Sequence, residues 1–216
     1  MTAIFDLDLT LINGDSSTFW CHWLCDNGYV NDVPKFKERE AELMVHYREK
    51  RLNVADYITL ALSPIIDRPI TEIDQLLELY IEEKITPIII PTMLKRLQDR
   101  QKERETIIIS SSPYFLVEAI AKKCFNVADS FGVTVRKKGD FYTTEVIGIS
   151  PYQGGKLTIF QEFINSTDSF FEDTYFYTDS INDIALLEAV EFPMIINPDK
   201  ELLAITQKNG WTIIND

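Results

Sequence analysis

The chain has 216 residues, 45% of them hydrophobic, with 34 Asp and Glu against 21 Lys and Arg for a net charge of −13. That length and apolar content suit one large domain, or a core with a modest inserted lobe, and exclude a disordered chain. The acidity argues against general binding of nucleic acid or of anionic membranes, both of which need basic patches, and no run approaches the roughly 20 apolar residues that span a bilayer.

In chain order, the first element is a β-rich run, TAIFD (2–6). A helical stretch follows, DSSTFWCHWLCDNG, which starts with capping residues and ends at Gly28. PKFKEREAELMVHYREKR is a charged amphipathic segment, and NVADYITLALS and TEIDQLLELYIEEK are two further helices. PTMLKRLQDRQKER, opened by Pro91, leads back into the sheet. Three more β-rich runs come later: TIIIS (106–110), TYFYTD (174–179) and PMIIN (193–197). Near-continuous apolar strands separated by helices predict a Rossmann-like parallel sheet covered on both faces. The connection between the first two strands is far longer than a parallel crossover needs. It predicts a helical insert, roughly 14–86, on a core of 1–13 and 87–216. VTVRKKGDFYTTEVIG alternates and turns at Lys138-Gly139-Asp140, so it predicts a small β-hairpin.

No basic start precedes the first charges, so no targeting signal is expected. Cys21, Cys25 and Cys124 are odd in number and form no disulfide pattern, which points to the cytoplasm. CHWLC around His22 lacks the paired spacing of a zinc finger. The Asn165-Ser166-Thr167 sequon has no use without secretion.

In parallel α/β sheets, ligands bind at the carboxyl ends of the strands. Asp6, Asp8 and Thr10 follow the first strand, and Ser110, Ser111 and Ser112 the second. Asp179, Asn182 and Asp183 follow the third, and Lys156 opens a helix in PYQGGKLTIF. Singly, SSSP and TDSIND also read as helix starts and GGK as a turn. Together, in this order, they supply groups that handle a phosphate and a divalent cation, with oxygen donors suited to Mg²⁺.

Asp6-Leu7-Asp8-Leu9-Thr10, an apolar strand into Ser110, then Lys156, then YTDSIND, resembles the four motifs of the haloacid dehalogenase superfamily. The insert directly after the first motif, with NGDSS, SSSP and DSINDIALLEAV…NPD, resembles its phosphoserine-phosphatase-like branch over essentially the whole chain. The resemblance implies a Mg²⁺-dependent phosphomonoesterase acting on a small phosphorylated metabolite. Asp6 would be the nucleophile that forms an aspartyl-phosphate. Asp8 would be the acid and then the base. Ser110 and the loop after it, Ser111 and Ser112, would hold phosphoryl oxygens, and Lys156 would offset charge. The metal set would be Asp6, Asp179 and the Asp8 backbone carbonyl, with Asp183 in direct or supporting contact. Asn182 would help orient the phosphate.

Substrate choice would fall to the insert. The position matching a glutamate that binds the amine in phosphoserine phosphatases is Asp15 here, a shorter acid. Trp20, His22, Trp23, His46, Tyr47, Arg48 and Arg51 are further candidates, with Phe19, Trp20, Trp23 and Leu24 at core-like helical spacing. Phosphoserine and histidinol phosphate both stay open as substrates, and the protein is expected to be a monomer or homodimer. Transfer of the phosphoryl group to an acceptor other than water, or a receiver-like phosphorylation switch, are the alternatives.

Overall fold

The computed structural model describes residues 2–167, 170–198 and 200–214. The expected motif residue Asp199 lies outside them.

Six strands form one parallel sheet in the order β3-β2-β1-β6-β7-β8. Strand β1, Thr2–Phe5, lies near the centre. It pairs with β2, Glu105–Pro113, through Ile4 to Ile107, and with β6, Thr174–Thr178, through Ile4 to Phe176. Outside them run β3 (Ser130–Val133), β7 (Phe192–Ile196) and β8 (Thr212–Ile214). Strands β4, Val135–Lys138, and β5, Phe141–Val146, make the expected antiparallel hairpin.

Between β1 and β2 come α1 (Ser16–Asp26), α2 (Val33–Arg48), α3 (Val54–Leu62), α4 (Ile70–Tyr80), a π-helical turn (Ile81–Ile85) and α5 (Pro91–Gln101). Side chains along a strand alternate between faces. Ala3, Phe5 and Ile108 therefore join the cluster made with Trp20, Trp23, Leu43, Tyr80, Met93 and helix α6, Tyr114–Phe125. Ile4, Ile107, Ile109 and Phe176 face α7 (Gly155–Ser166), α8 (Ile184–Leu187) and Leu202 of α9 (Lys200–Asn209). The sheet is thus apolar on both sides, and its polar residues collect at the strand ends.

One helix starts a residue later than the alternative reading of SSSP would set it. SSSP continues β2 to Pro113, and α6 begins only at Tyr114. The extra strand residues keep Ser110 and Ser112 extended, so both hydroxyls reach back over β1.

Candidate active site

A cavity of about 450 Å³ opens above the carboxyl ends of β1, β2 and β6. Asp6, Asp8, Ser110, Ser111, Ser112, Lys156, Asp179, Asn182 and Asp183 all border it. The fold therefore brings these nine residues to one cavity.

Asp6 is buried directly after β1, and its Oδ1 accepts from the Leu7 N–H at 2.8 Å. Its Oδ2 lies 2.9 Å from Lys156 Nζ, which lies 2.8 Å from Asp183 Oδ2. Lys156 itself is only 1% exposed. Burial alone would lower its proton affinity, but the Asp183 and Asp6 carboxylates hold it well above the usual range. Helix α7 can bring Lys156 this deep because Gly155 precedes it. A Cβ at 155 would stand 1.7 Å from the Ser150 carbonyl oxygen.

Asp183 carries a proton affinity raised to about 6, because burial and the Asp6 charge act against Lys156. Thr178 Oγ1 donates to Asp183 Oδ2 at 2.6 Å and more weakly to Asp6 Oδ2 at 3.4 Å. This bridging hydroxyl was missed in the sequence. Its signal was its place at the end of an apolar strand, directly before Asp179. Asp179 is raised well above the carboxylate range by burial and by the charges of Asp6 and Asp183. Its Oδ1 accepts from Thr10 Oγ1 at 3.2 Å.

Asp8 is held apart from this group. Its Oδ1 accepts from the Ser16 N–H at 2.6 Å, and its Oδ2 from Ser112 Oγ at 2.7 Å and Ser110 Oγ at 3.1 Å. Burial, then the Asp15 charge, pushes its carboxyl up to about 7 against those donors. Two carboxylates one residue apart thus sit in opposite settings, Asp6 against an ammonium and Asp8 among hydroxyls. Leu9 between them and the insert adopts φ 57°, a left-handed turn that swings the chain away from the sheet.

Three carboxylates (Asp6, Asp179, Asp183) face one ammonium, an excess of negative charge in a low-dielectric pocket. That imbalance and the all-oxygen donor set fit a divalent cation of the Mg²⁺ type. Among the described residues no three His, Cys, Asp or Glu side chains form a closed metal cage. Mg²⁺ suits such an open site because it keeps several waters and uses only one or two carboxylates.

The insert supplies the other wall. Asp15 caps α1, accepting from the Thr18 N–H at 2.7 Å while bordering the cavity. Burial raises its carboxyl, with the buried Glu40 carboxylate adding to the rise. Thr18 Oγ1 donates to Glu40 at 3.0 Å, and His22 lies 3.8 Å from it. Tyr47 and the exposed Arg48 border the cavity, together with Met44, Leu52 and Ile58. Trp20 and Trp23 do not: both are buried, with Trp20 Nε1 donating to Ala61 O and Trp23 Nε1 to Glu83. His22, His46 and Arg51 also fall outside the cavity wall, and Arg51 pairs with Glu49.

Residues 3–188 match the sequence profile of haloacid dehalogenase-like hydrolases. A histidinol-phosphatase of Neisseria meningitidis serogroup C is 30% identical over 218 residues, covering 99% of this chain and 97% of that one. A phosphoserine phosphatase, SerB1, of Mycobacterium tuberculosis H37Rv is 25% identical, covering 98% of this chain and 69% of that one. A solved structure from Bordetella pertussis Tohama I, of unknown function, shares 25% identity with a TM-score of 0.90, covering 99% of this chain and 97% of that one. No helix among the described residues is long and apolar enough to cross a membrane. The chain belongs to the haloacid dehalogenase-like hydrolase family, among its phosphatases.

Proposed function

We propose that the protein hydrolyses a small amine-bearing phosphomonoester through an aspartyl-phosphate on Asp6. The observation that carries this reading is the meeting of Asp6, Asp8, Ser110 and Lys156, from three separate segments, around one cavity. Mg²⁺, held by Asp6, Asp179 and the Asp8 carbonyl with Asp183 in support, would supply charge neutralisation at the phosphoryl group. Asp6, 2.9 Å from the Lys156 ammonium, attacks phosphorus as the ester oxygen leaves. Asp8, whose proton is held near neutrality, gives it to the departing alkoxide. Water then attacks the acyl-phosphate, Asp8 takes the proton back, and phosphate leaves with Asp6 restored. Ser110 and Ser112, now turned to Asp8, are placed to exchange that contact for phosphoryl oxygens, with Ser111 and Asn182 beside them. The helical insert, 14–86, closes the cavity over the leaving group. In this reading the acceptor is water, and a receiver-like switch falls with the family assignment.

Histidinol phosphate fits the leaving-group wall better than phosphoserine does. Asp15 offers a carboxylate to an amine, while Met44, Leu52 and Ile58 offer apolar surface to a ring. A substrate carboxylate would have only Arg48, which is exposed, and Lys50, which already pairs with Glu201 at 3.1 Å. The histidinol-phosphatase relative supports the same preference. The test is a phosphate-release screen over small phosphomonoesters, with Asp6→Asn as control. Histidinol phosphate should give a higher kcat/KM than phosphoserine, and Asp6→Asn should lose about 10³-fold or more. Near wild-type turnover in that variant would remove Asp6 as nucleophile.

A further inference from the structure

A second cavity, of about 400 Å³, lies between β3 and α7. We propose that it binds a small organic cation with an apolar or aromatic body, and that its occupancy is felt at the serine end of β2 in the active site. Neither part depends on the reaction proposed above.

The chemistry of the wall selects the ligand. Phe131 and Phe163 meet edge to face, with ring centroids 6.0 Å apart, and Tyr114 adds a third ring. Aromatic faces attract cations as well as apolar groups. Glu162 is the one charged group on the wall, and among the described residues its carboxylate has no ion-pair partner. The Ser130 hydroxyl is buried in the same wall and makes no hydrogen bond. A buried hydroxyl without a partner loses its hydration for no return, which a polar ligand group would restore. β3 is moreover the last strand of the sheet, so its outer edge faces no neighbouring strand.

The link to the active site is a matter of contact. Gly132 in the cavity wall packs so closely that a Cβ there would stand 2.8 Å from Ser112 O and 2.7 Å from Tyr114 Cα. Whatever presses on Gly132 and Tyr114 presses on the backbone that carries Ser112. A second connection runs through Ile149, also in the wall, to the next turn, where Ser111 Oγ donates to Pro151 O at 3.2 Å. Both connections reach the end of β2, whose Ser110 and Ser112 hold Asp8.

The experiment is a titration of ¹⁵N-labelled protein with phenethylammonium, 2-phenylethanol and phenylacetate, followed by amide shifts. Phenethylammonium should move the Gly132 and Phe131 amides saturably and bind tightest of the three, with phenylacetate weakest. The Ser112 amide should move with the same saturation curve. Glu162→Gln, an exposed helix position, should weaken the cation by about threefold and leave 2-phenylethanol unchanged. Asp6→Asn should bind phenethylammonium as wild type does. Shifts confined to Asp15 and Ser17 would place the cation in the main cavity and overturn the proposal. So would a Gly132 amide that no probe moves, or an unchanged affinity in Glu162→Gln. A Gly132 shift with a stationary Ser112 would overturn the coupling.

Discussion

Lys156→Met tests whether one buried ammonium holds the Asp6 and Asp183 carboxylates together. The side chain keeps its length and loses its charge, leaving Asp6 and Asp183 face to face in a pocket where Lys156 was 1% exposed. At 2.8–2.9 Å and an effective dielectric of about 20, each lost attraction is worth about 6 kcal/mol gross. Desolvation of the lysine offsets most of that, and removing one member of a buried pair costs about 3–5 kcal/mol net. For 216 residues, that corresponds to a melting temperature lower by about 7–11 °C. The sign of the pH dependence is equally specific. Asp183 titrates at about 6 even beside Lys156, so losing the lysine raises its folded-state value further above the unfolded one. A raised carboxylate contributes stability at low pH and loses it as pH rises. The deficit of Lys156→Met against wild type should therefore shrink as pH falls from about 8 to about 5. Thermal unfolding followed by circular dichroism at three pH values measures it. A deficit under about 2 °C, or one that widens on acidification, would refute the argument.

Gly155→Ala places a Cβ against the Ser150 carbonyl at 1.7 Å. It should cost about 3 kcal/mol or more of stability in urea unfolding and displace Lys156 enough to lower kcat. Tyr57→Phe removes a buried hydroxyl that makes no hydrogen bond, so the urea midpoint should stay level or rise; a loss above about 1 kcal/mol would show a bond that the structure lacks. Chelation by EDTA should abolish turnover and added Mg²⁺ restore it, while the far-ultraviolet spectrum stays unchanged. Cys21 and Cys25 are buried, and burial pushes the half-buried Cys124 thiol up to about 11. All three should therefore react slowly with iodoacetamide at pH 8, and fast single-site labelling would contradict their packing.

The central strands were legible because each is a short run of apolar β-formers ending at a polar residue. TAIFD, TIIIS, TYFYTD and PMIIN all fall on observed strands. The edge strands β3 and β8 were not legible: SFGV and TII are too short to stand out from their surroundings. The alternative reading of SSSP as a helix start sets α6 one residue early. Pro113 has the backbone angle for a first helical position, but its pairing with Val133 keeps it in the strand. The motif residues could be read because their chemistry is local to each strand end. Their division of labour could not. That Ser110 and Ser112 serve Asp8, while Thr178 serves Asp183, depends on which hydroxyl the parallel register sets opposite which acid. The insert was legible as helices but hardly as a site. Trp20 and Trp23 and the cavity-facing Tyr47 are equally plausible by type, and only packing separates them.

The central position of β1 also governs how activity returns after denaturation. Thr2 pairs with Glu105 on one side and Thr174 on the other. Closing a loop of about 100 residues costs about 4 kcal/mol of chain entropy before any contact repays it. The helices between β1 and β2 can form early from local contacts, whereas the sheet must wait for distant segments to meet. Catalytic competence should therefore lag behind helical content during refolding. A fragment ending before β6 should hold much of its helix and no activity, because Thr178, Asp179 and Asp183 arrive only with that last segment.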